Sequence, residues 1–232
     1  MPRLAVITTG GTIAMRSSDG APAKIAGQSG DVLGAAPYLA EVADIIHRDA
    51  LGIPSASFTL GDLDTLVRAA EDCRDADGIV ITHGTDTLEE TAFALELTVK
   101  HRTPIVLTGA MRRFDQPGSD GAANLESAGL TALSPLSRGK GVLVTMDDEI
   151  HWGPLVRKAH AFRTHAFSSA PFGPIGWVAE RDVRYALRPD IRFPKLPLGP
   201  RAAVVPIVEA GPGLEPQVVE SLGDVSDAGS VR

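Results

Sequence analysis

A three-layer α/β/α fold built on a mainly parallel sheet is the architecture this sequence predicts. Three observations point there. Several short runs are apolar almost throughout and rich in β-branched residues, as strands buried on both faces must be. Segments with helical spacing alternate with them. The chain has 232 residues, 44% hydrophobic and 22% charged, enough for one sizeable α/β domain and a smaller piece.

The elements follow in order. Leu4-Ala5-Val6-Ile7-Thr8 reads as a buried strand ending in the turn Thr9-Gly10-Gly11-Thr12. Arg16 to Gly34 is polar and Gly-containing, and is expected to be a mobile loop. Tyr38 to His47 sets Leu39, Val42 and Ile46 at helical spacing and predicts a helix. Thr59 opens a second helix, with Asp62 three residues on as a partial capping box and Leu63, Leu66 and Val67 on one face. Gly78-Ile79-Val80-Ile81-Thr82 is the clearest buried strand, and His83-Gly84-Thr85-Asp86 is its turn. Asp86 and Glu89 form a capping signature for a helix carrying Leu88, Ala92, Leu95 and Val99. Thr103 to Thr108 is the next strand and completes a βαβ unit. A helix over Asn124 to Leu133 and a strand over Gly141 to Thr145 follow. Pro189, Pro194, Pro197 and Pro200 then mark residues 188–200 as an extended linker. Ala202 to Val208 reads as one more strand, and the small polar stretch Gly223 to Arg232 as a frayed end.

Charge and cysteine usage exclude several classes. A net charge of −7 without a basic stripe argues against a nucleic-acid partner. The single cysteine, Cys73, excludes an internal disulfide, fits a reducing compartment and reads as a small core residue near a helix end. No apolar run is long enough to span a membrane. Met1-Pro2-Arg3-Leu4 leads straight into a strand without a leader pattern, so the cytoplasm is the expected location.

In an open parallel sheet, ligands bind beyond the carboxyl ends of the strands. Thr9 and Thr12, Thr85 and Asp86, and Gly109-Ala110-Met111 all fall there. The first turn could be a phosphate cradle, a set of freed N–H groups around a hydroxyl nucleophile, or a plain tight turn. Neither G-x-G-x-x-G nor G-x-x-x-x-G-K-[ST] is present, which argues against a nucleotide. Asp86 serves either as a helix cap or as a carboxylate for a substrate ammonium, and its several acceptor positions allow both. The six histidines show no H-E-x-x-H or clustered Cys/His spacing, so no metal is expected. G-x-S-x-G is absent as well, against a serine hydrolase of the nucleophile-elbow type.

Two long motifs carry a specific resemblance. Thr9-Gly10-Gly11-Thr12-Ile13-Ala14 and the run Ile81-Thr82-His83-Gly84-Thr85-Asp86-Thr87-Leu88-Glu89-Glu90-Thr91-Ala92 resemble the signatures of the bacterial L-asparaginase/glutaminase family. Gly109-Ala110-Met111-Arg112 and Ser119 to Leu125 resemble further family segments in the same order, and the likeness spans roughly residues 4 to 208. The resemblance implies hydrolysis of L-asparagine, with L-glutamine as a possible second substrate, to the acid and ammonia without a cofactor. It implies a catalytic set of Thr12, Thr85, Asp86 and Lys158. Ser55 matches the residue that binds the substrate α-carboxylate, Asp86 grips the ammonium, and Ala110 lies close to the amide. Thr85 with Lys158 is the implied proton relay. Both Thr12 and Thr85 remain candidates for the first attack. A homo-oligomer is the implied assembly.

The resemblance also sets domain expectations: an N-terminal catalytic domain over 1–187, the linker over 188–200, and a truncated remnant of a second α/β domain over 201–232. Family members have a complete second domain, which lends a neighbouring subunit a glutamate; Glu209 and Glu220 lie in the remnant without matching it. The family's first loop carries a tyrosine, whereas Ala23-Lys24-Ile25-Ala26-Gly27 has none and Tyr38 lies well beyond. These departures keep two alternatives open, an amino-acid-binding pseudoenzyme and the asparaginase-like subunit of a tRNA-dependent amidotransferase.

Overall fold

The computed structural model describes residues 1–16, 24–25, 33–34, 36–198, 211–218 and 220. Met1–Leu196 forms one compact unit and Pro197–Arg232 a second. In the first unit the chain opens with β1 (Arg3–Thr8), in which Leu4 to Ile7 are fully buried. A 3-10 turn over Thr12–Ala14 leads into β2 (Met15–Arg16), which pairs antiparallel with β3 (Lys24–Ile25). The described part of the expected loop therefore begins as a short hairpin.

The helix expected over Tyr38 to His47 is not a single element. Instead α1 covers Pro37–Val42 and β4 covers Asp44–Asp49, paired in parallel with β1. Leu39 fits the helical spacing and is fully buried. The run Ile45-Ile46-His47, however, lies within reach of the free edge of β1, and ladder bonds outweigh a weak local preference. Tyr38 stays in α1 with the Arg181 guanidinium 3.7 Å above its ring.

α2 (Leu60–Asp72) starts as the sequence predicts. Thr59 accepts from the Asp62 amide, and the Asp62 carboxylate accepts from the Thr59 amide, a complete capping box. Cys73 follows as its buried C-cap. β5 (Gly78–Thr82) pairs in parallel with β1, and after α3 (Leu88–Thr98) β6 (Ile105–Thr108) pairs in parallel with β5. α4 (Gly121–Leu133) returns the chain to β7 (Val142–Met146), the last parallel strand.

β8 (Glu149–Trp152) then turns back antiparallel on β7. A separate two-stranded ladder joins β9 (Arg157–Lys158) to β10 (Phe167–Ser168), and β11 (Gly176–Ala179) with β12 (Asp182–Tyr185) completes the main sheet. Its order is β12-β11-β8-β7-β6-β5-β1-β4. The antiparallel end carries no Asn-Gly or Asp-Gly signal. Its two-residue turns are Asp147-Asp148, with φ of 51° and 61°, and Glu180-Arg181, with φ of 51° and 69°. Both are of the kind hairpins favour, with both central residues at positive φ, and such residues cost roughly 1–2 kcal/mol each when not glycine. Side chains of α4 offset that cost. Asn124 accepts from the Asp147 amide at 2.9 Å, Ser127 donates to Asp148 at 2.7 Å, and Arg181 donates to Glu126 at 2.9 Å.

Leu4, Val6, Val80, Val106 and Leu143 share one sheet face and pack with Leu125, Ala128 and Ala132 of α4. The alternate residues of the same strands, among them Ile7, Ile79, Ile81 and Leu107, point the other way and are fully buried as well. Helices on both faces make three layers. The chain from Ala186 to Leu196 has no regular element, yet it is docked: Phe193 stacks on Trp152 at 5.8 Å and the Leu196 amide donates to the Leu97 carbonyl.

In the second unit, residues 216–218 and 220 are helical and Glu220 is exposed. The expected strand over Ala202 to Val208, Glu209 and the tail from Gly223 lie outside the described residues.

Candidate active site

The loops after β1, β4, β5 and β6 meet at the carboxyl edge of the parallel sheet, and glycines allow it. Gly10 and Gly11 lie at φ 107° and 81°. A Cβ on Gly11 would stand 2.5 Å from the Gly84 Cα, and one on Gly84 would stand 2.6 Å from the Ser55 Oγ. A Cβ on Gly109 would meet the His83 carbonyl at 2.6 Å. Backbone thus lies against backbone at Gly11 and Gly109 and against the Ser55 side chain at Gly84, which brings the segments bearing Thr12, Ser55, Thr85 and Ala110 together.

Backbone bonds hold these loops in place. The amides of Ala50 and Leu51 donate to the Thr8 carbonyl and that of Ile53 to Thr9, which carries the chain from β4 to Ser55. The Thr9 hydroxyl donates to the Thr82 carbonyl at 2.9 Å, so Thr9 is a brace between β1 and β5. Thr12 is half-buried at the start of the 3-10 turn. Ser55 is 2% exposed, and its hydroxyl is buried without a hydrogen-bond partner among the described residues. Its carbonyl accepts from the Thr87 hydroxyl at 2.9 Å, which fixes the residue while leaving the hydroxyl free. An unpaired buried hydroxyl costs about 1–3 kcal/mol.

Thr85 is buried and Lys158 reaches it from β9. The Lys158 Nζ lies 2.8 Å from the Thr85 Oγ1 and 2.7 Å from the Asp86 Oδ1. The lysine side chain is 17% exposed, whereas that of Asp86 is 61% exposed and has acceptor positions left over. The capping role expected of Asp86 is corrected here. It does not cap α3: the N-cap is Thr87, without a side-chain cap bond. The carboxylates of the expected capping signature go to Lys158 instead, since Glu89 accepts the Lys158 backbone amide at 2.5 Å. For Asp86, a charged partner that only tertiary structure delivers outcompetes a local amide.

Ala110 is 1% exposed. A Cβ on Gly121 would lie 3.4 Å from the Ala110 Cβ, so the methyl group packs against the start of α4, leaving the backbone of Ala110 as its polar part. The Gly109–Arg112 loop is held by residues that spacing alone does not single out. Asp120 accepts the Met111 and Arg112 amides at 2.9 Å, and Asn124 donates to the Gly109 carbonyl at 3.0 Å. Both lie in the Ser119 to Leu125 segment, where the motif likeness was the available signal.

His83 is fully buried, and burial holds its imidazole down at about 4, hence neutral. The Gly84 carbonyl, 2.6 Å from Nδ1, can only accept, so Nδ1 carries the proton and Nε2 accepts from Thr91 at 3.0 Å. With Phe58 edge-on at 4.7 Å, His83 is a prop beneath the turn. Among the described residues no group of three or more His, Cys, Asp or Glu is arranged to hold a metal. A cavity of about 340 Å³ lies elsewhere, lined by Glu96, His101, Ser137, Arg188, Phe193 and Lys195 among others, and includes none of Thr12, Ser55, Thr85, Asp86, Ala110 and Lys158.

Residues 3–190 match the family model described as Asparaginase, N-terminal. The chain is 41% identical over 189 residues to a glutaminase-asparaginase of Pseudomonas fluorescens biotype A, covering 78% of this chain and 51% of that protein. It is 39% identical over 186 residues to a subunit of the glutamyl-tRNA(Gln) amidotransferase of Methanosarcina barkeri, covering 77% of this chain and 44% of that one. The crystal structure of a probable cytoplasmic L-asparaginase from Campylobacter jejuni superposes with a TM-score of 0.75 at 34% identity, over 81% of this chain and 58% of that chain. The chain spans about half the length of the curated relatives it matches. With the family model matched over most of its length and a shared fold at this level of identity, the chain belongs to the asparaginase family through that family's N-terminal domain.

Proposed function

We propose that this chain hydrolyses the side-chain amide of L-asparagine, with L-glutamine as a related substrate, to the acid and ammonia. The observation that carries this reading is the contact of the Lys158 ammonium with the Thr85 hydroxyl at 2.8 Å, beside a buried Ser55 hydroxyl that has no partner among the described residues. In the proposed reaction a threonine hydroxyl attacks the amide carbon. Thr12 is assigned the attack, because Thr85 already faces Lys158 and so suits the relay. The Thr12 proton passes by way of the Thr85 hydroxyl, whose oxygen the Lys158 ammonium steadies, to the amide nitrogen; the carbon–nitrogen bond breaks, and ammonia departs. Water then cleaves the threonine ester, regenerating Thr12 and releasing the acid. N–H groups of the Gly-rich turns and of Ala110 would stabilise the oxyanion. Ser55 would bind the α-carboxylate and Asp86 the ammonium. The reaction needs no cofactor. A cytoplasmic location and assembly into a homo-oligomer are part of the same proposal.

Ammonia release by the 232-residue chain tests it, with Thr12→Ala and Thr85→Ala beside the parent. Each variant is expected to keep the parent's melting temperature and lose at least about a hundredfold in rate. Full activity in both would sink the assignment. The likeness to an amidotransferase subunit supports a second reading, in which the released ammonia is passed to a partner enzyme. Asparagine binding by calorimetry without turnover would favour a binding protein instead.

A further inference from the structure

Lys158 is held at both ends by the stretch Thr85–Glu89. Its ammonium meets Thr85 and Asp86, and its backbone N–H meets the Glu89 carboxylate at 2.5 Å. This matters because β9 stands apart from the main sheet. It is two residues long and, among the described residues, pairs only with β10. The ladder bonds of the eight-stranded sheet therefore do not determine where Lys158 sits.

The hairpin containing β9 is tied down at separate points. His165 meets Asp147 at 3.0 Å, and His151 meets Ser169 at 2.9 Å. Both contacts lie toward β10 and the hairpin loop. On the β9 side the buried Val156 donates its amide to the Trp152 carbonyl just ahead of the strand, and the side-chain tie on the strand itself is Glu89, whose Oε2 takes the Lys158 amide while Oε1 lies 3.7 Å from the Arg157 Nε. Glu89 sits in the first turn of α3, where the helix dipole favours a carboxylate. The same helix start carries Thr85 and Asp86 just ahead of it. One short stretch, the turn Thr85–Asp86 and the first turn of α3, thus holds both the groups at the lysine's tip and the origin of its side chain.

We propose that Glu89 is the positioning residue for Lys158: its carboxylate fixes the backbone from which the ammonium reaches Thr85. The inference rests on the reading of Lys158 and Thr85 as the relay. A long, flexible lysine chain can meet Thr85 in one geometry only if its origin is fixed, and a misplacement of about 1 Å at a reacting group can cost about a hundredfold in rate. Glu89→Gln keeps an acceptor oxygen for the amide; Glu89→Ala removes it.

The test uses the full chain labelled with carbon-13 at the lysine ε-position, with the Lys158 signal assigned by its loss in Lys158→Arg. In Glu89→Ala the signal is expected to move in the direction seen for Thr85→Ala, while in Glu89→Gln it stays within the parent's linewidth. In ammonia release, Glu89→Ala is expected to lower kcat by about tenfold to a hundredfold with KM unchanged within about twofold, and Glu89→Gln to keep most of kcat. A Lys158 signal unmoved in Glu89→Ala overturns the inference, as does an equal loss of kcat in both variants. The two readings separate cleanly. If the signal moves but Lys158→Arg and Thr12→Ala release ammonia like the parent, the relay fails and the hold of Glu89 on Lys158 stands. If Lys158→Arg abolishes release while Glu89→Ala changes neither signal nor rate, the relay stands and the role of Glu89 fails.

Discussion

Replacing Gly11 by alanine tests the packing that assembles the site. Gly11 has φ 81° and ψ −177°, a region open essentially to glycine alone, where another residue costs of order 1–3 kcal/mol. The new Cβ would also lie 2.5 Å from the Gly84 Cα and 2.6 Å from the Gly84 N. Those are backbone atoms that cannot swing aside, so overpacking adds about 1–3 kcal/mol. A total of about 2–6 kcal/mol is a large share of the roughly 5–15 kcal/mol that holds a domain together. At about 2–4 °C per kcal/mol for a chain of this size, the melting temperature should fall by roughly 5–20 °C. Gly139→Ala is the control: its φ is 72° but nothing lies within 4 Å of a Cβ there. It carries the backbone cost alone, about 1–2 kcal/mol. Thermal unfolding of both variants beside the parent separates strain from collision. If Gly11→Ala melts no lower than Gly139→Ala, the two turns are not in contact as described.

Two further predictions concern stability. Asn124→Ala removes the donor to the Gly109 carbonyl and the acceptor of the Asp147 amide, so it should cost about 2–4 kcal/mol; a urea midpoint equal to the parent's would contradict the brace. His83 and His151 are both held at about 4, chiefly by burial, with the charge of His165 adding at His151. Their folded values lie below the ordinary 6.5, so the unfolded chain takes up protons first as pH falls. The stability they contribute is therefore complete above about pH 6.5 and is lost between there and about pH 4, by of order 3 kcal/mol for each imidazole. Urea unfolding at pH 7 and at pH 4.5 measures this, and an unchanged midpoint would refute it.

The parallel core was legible because its strands are buried on both faces, and such strands are written as unbroken apolar runs. Gly78–Thr82 and Leu4–Thr8 could hardly be anything else. The antiparallel end was hidden for the converse reason. Its turns use Asp-Asp and Glu-Arg, which carry no hairpin signal, and they hold only because Asn124, Ser127 and Glu126 bond to them from another element. β4 was hidden because α1 and β4 share a stretch whose spacing suits a helix for its whole length. The cap of α3 was ambiguous, because an Asp and a Glu at helix-start spacing look the same whether they bind their own backbone or a lysine far along the chain.

By itself the sequence determined the fold class, the carboxyl-edge convergence of Thr12, Thr85 and Ala110, and the family likeness, because these depend on local pattern and on motif order. Only the tertiary structure decided that Lys158 reaches Thr85, that Ser55 keeps a buried hydroxyl unpartnered among the described residues, and that Glu89 holds the lysine backbone. Each of these depends on contacts between residues far apart in the chain, 73, 32 and 69 positions for Lys158–Thr85, Thr87–Ser55 and Lys158–Glu89. Contacts at such separations leave no local period. They exist because folding removes the competing water, so that each polar group is left with the few partners that the packed elements bring within its reach.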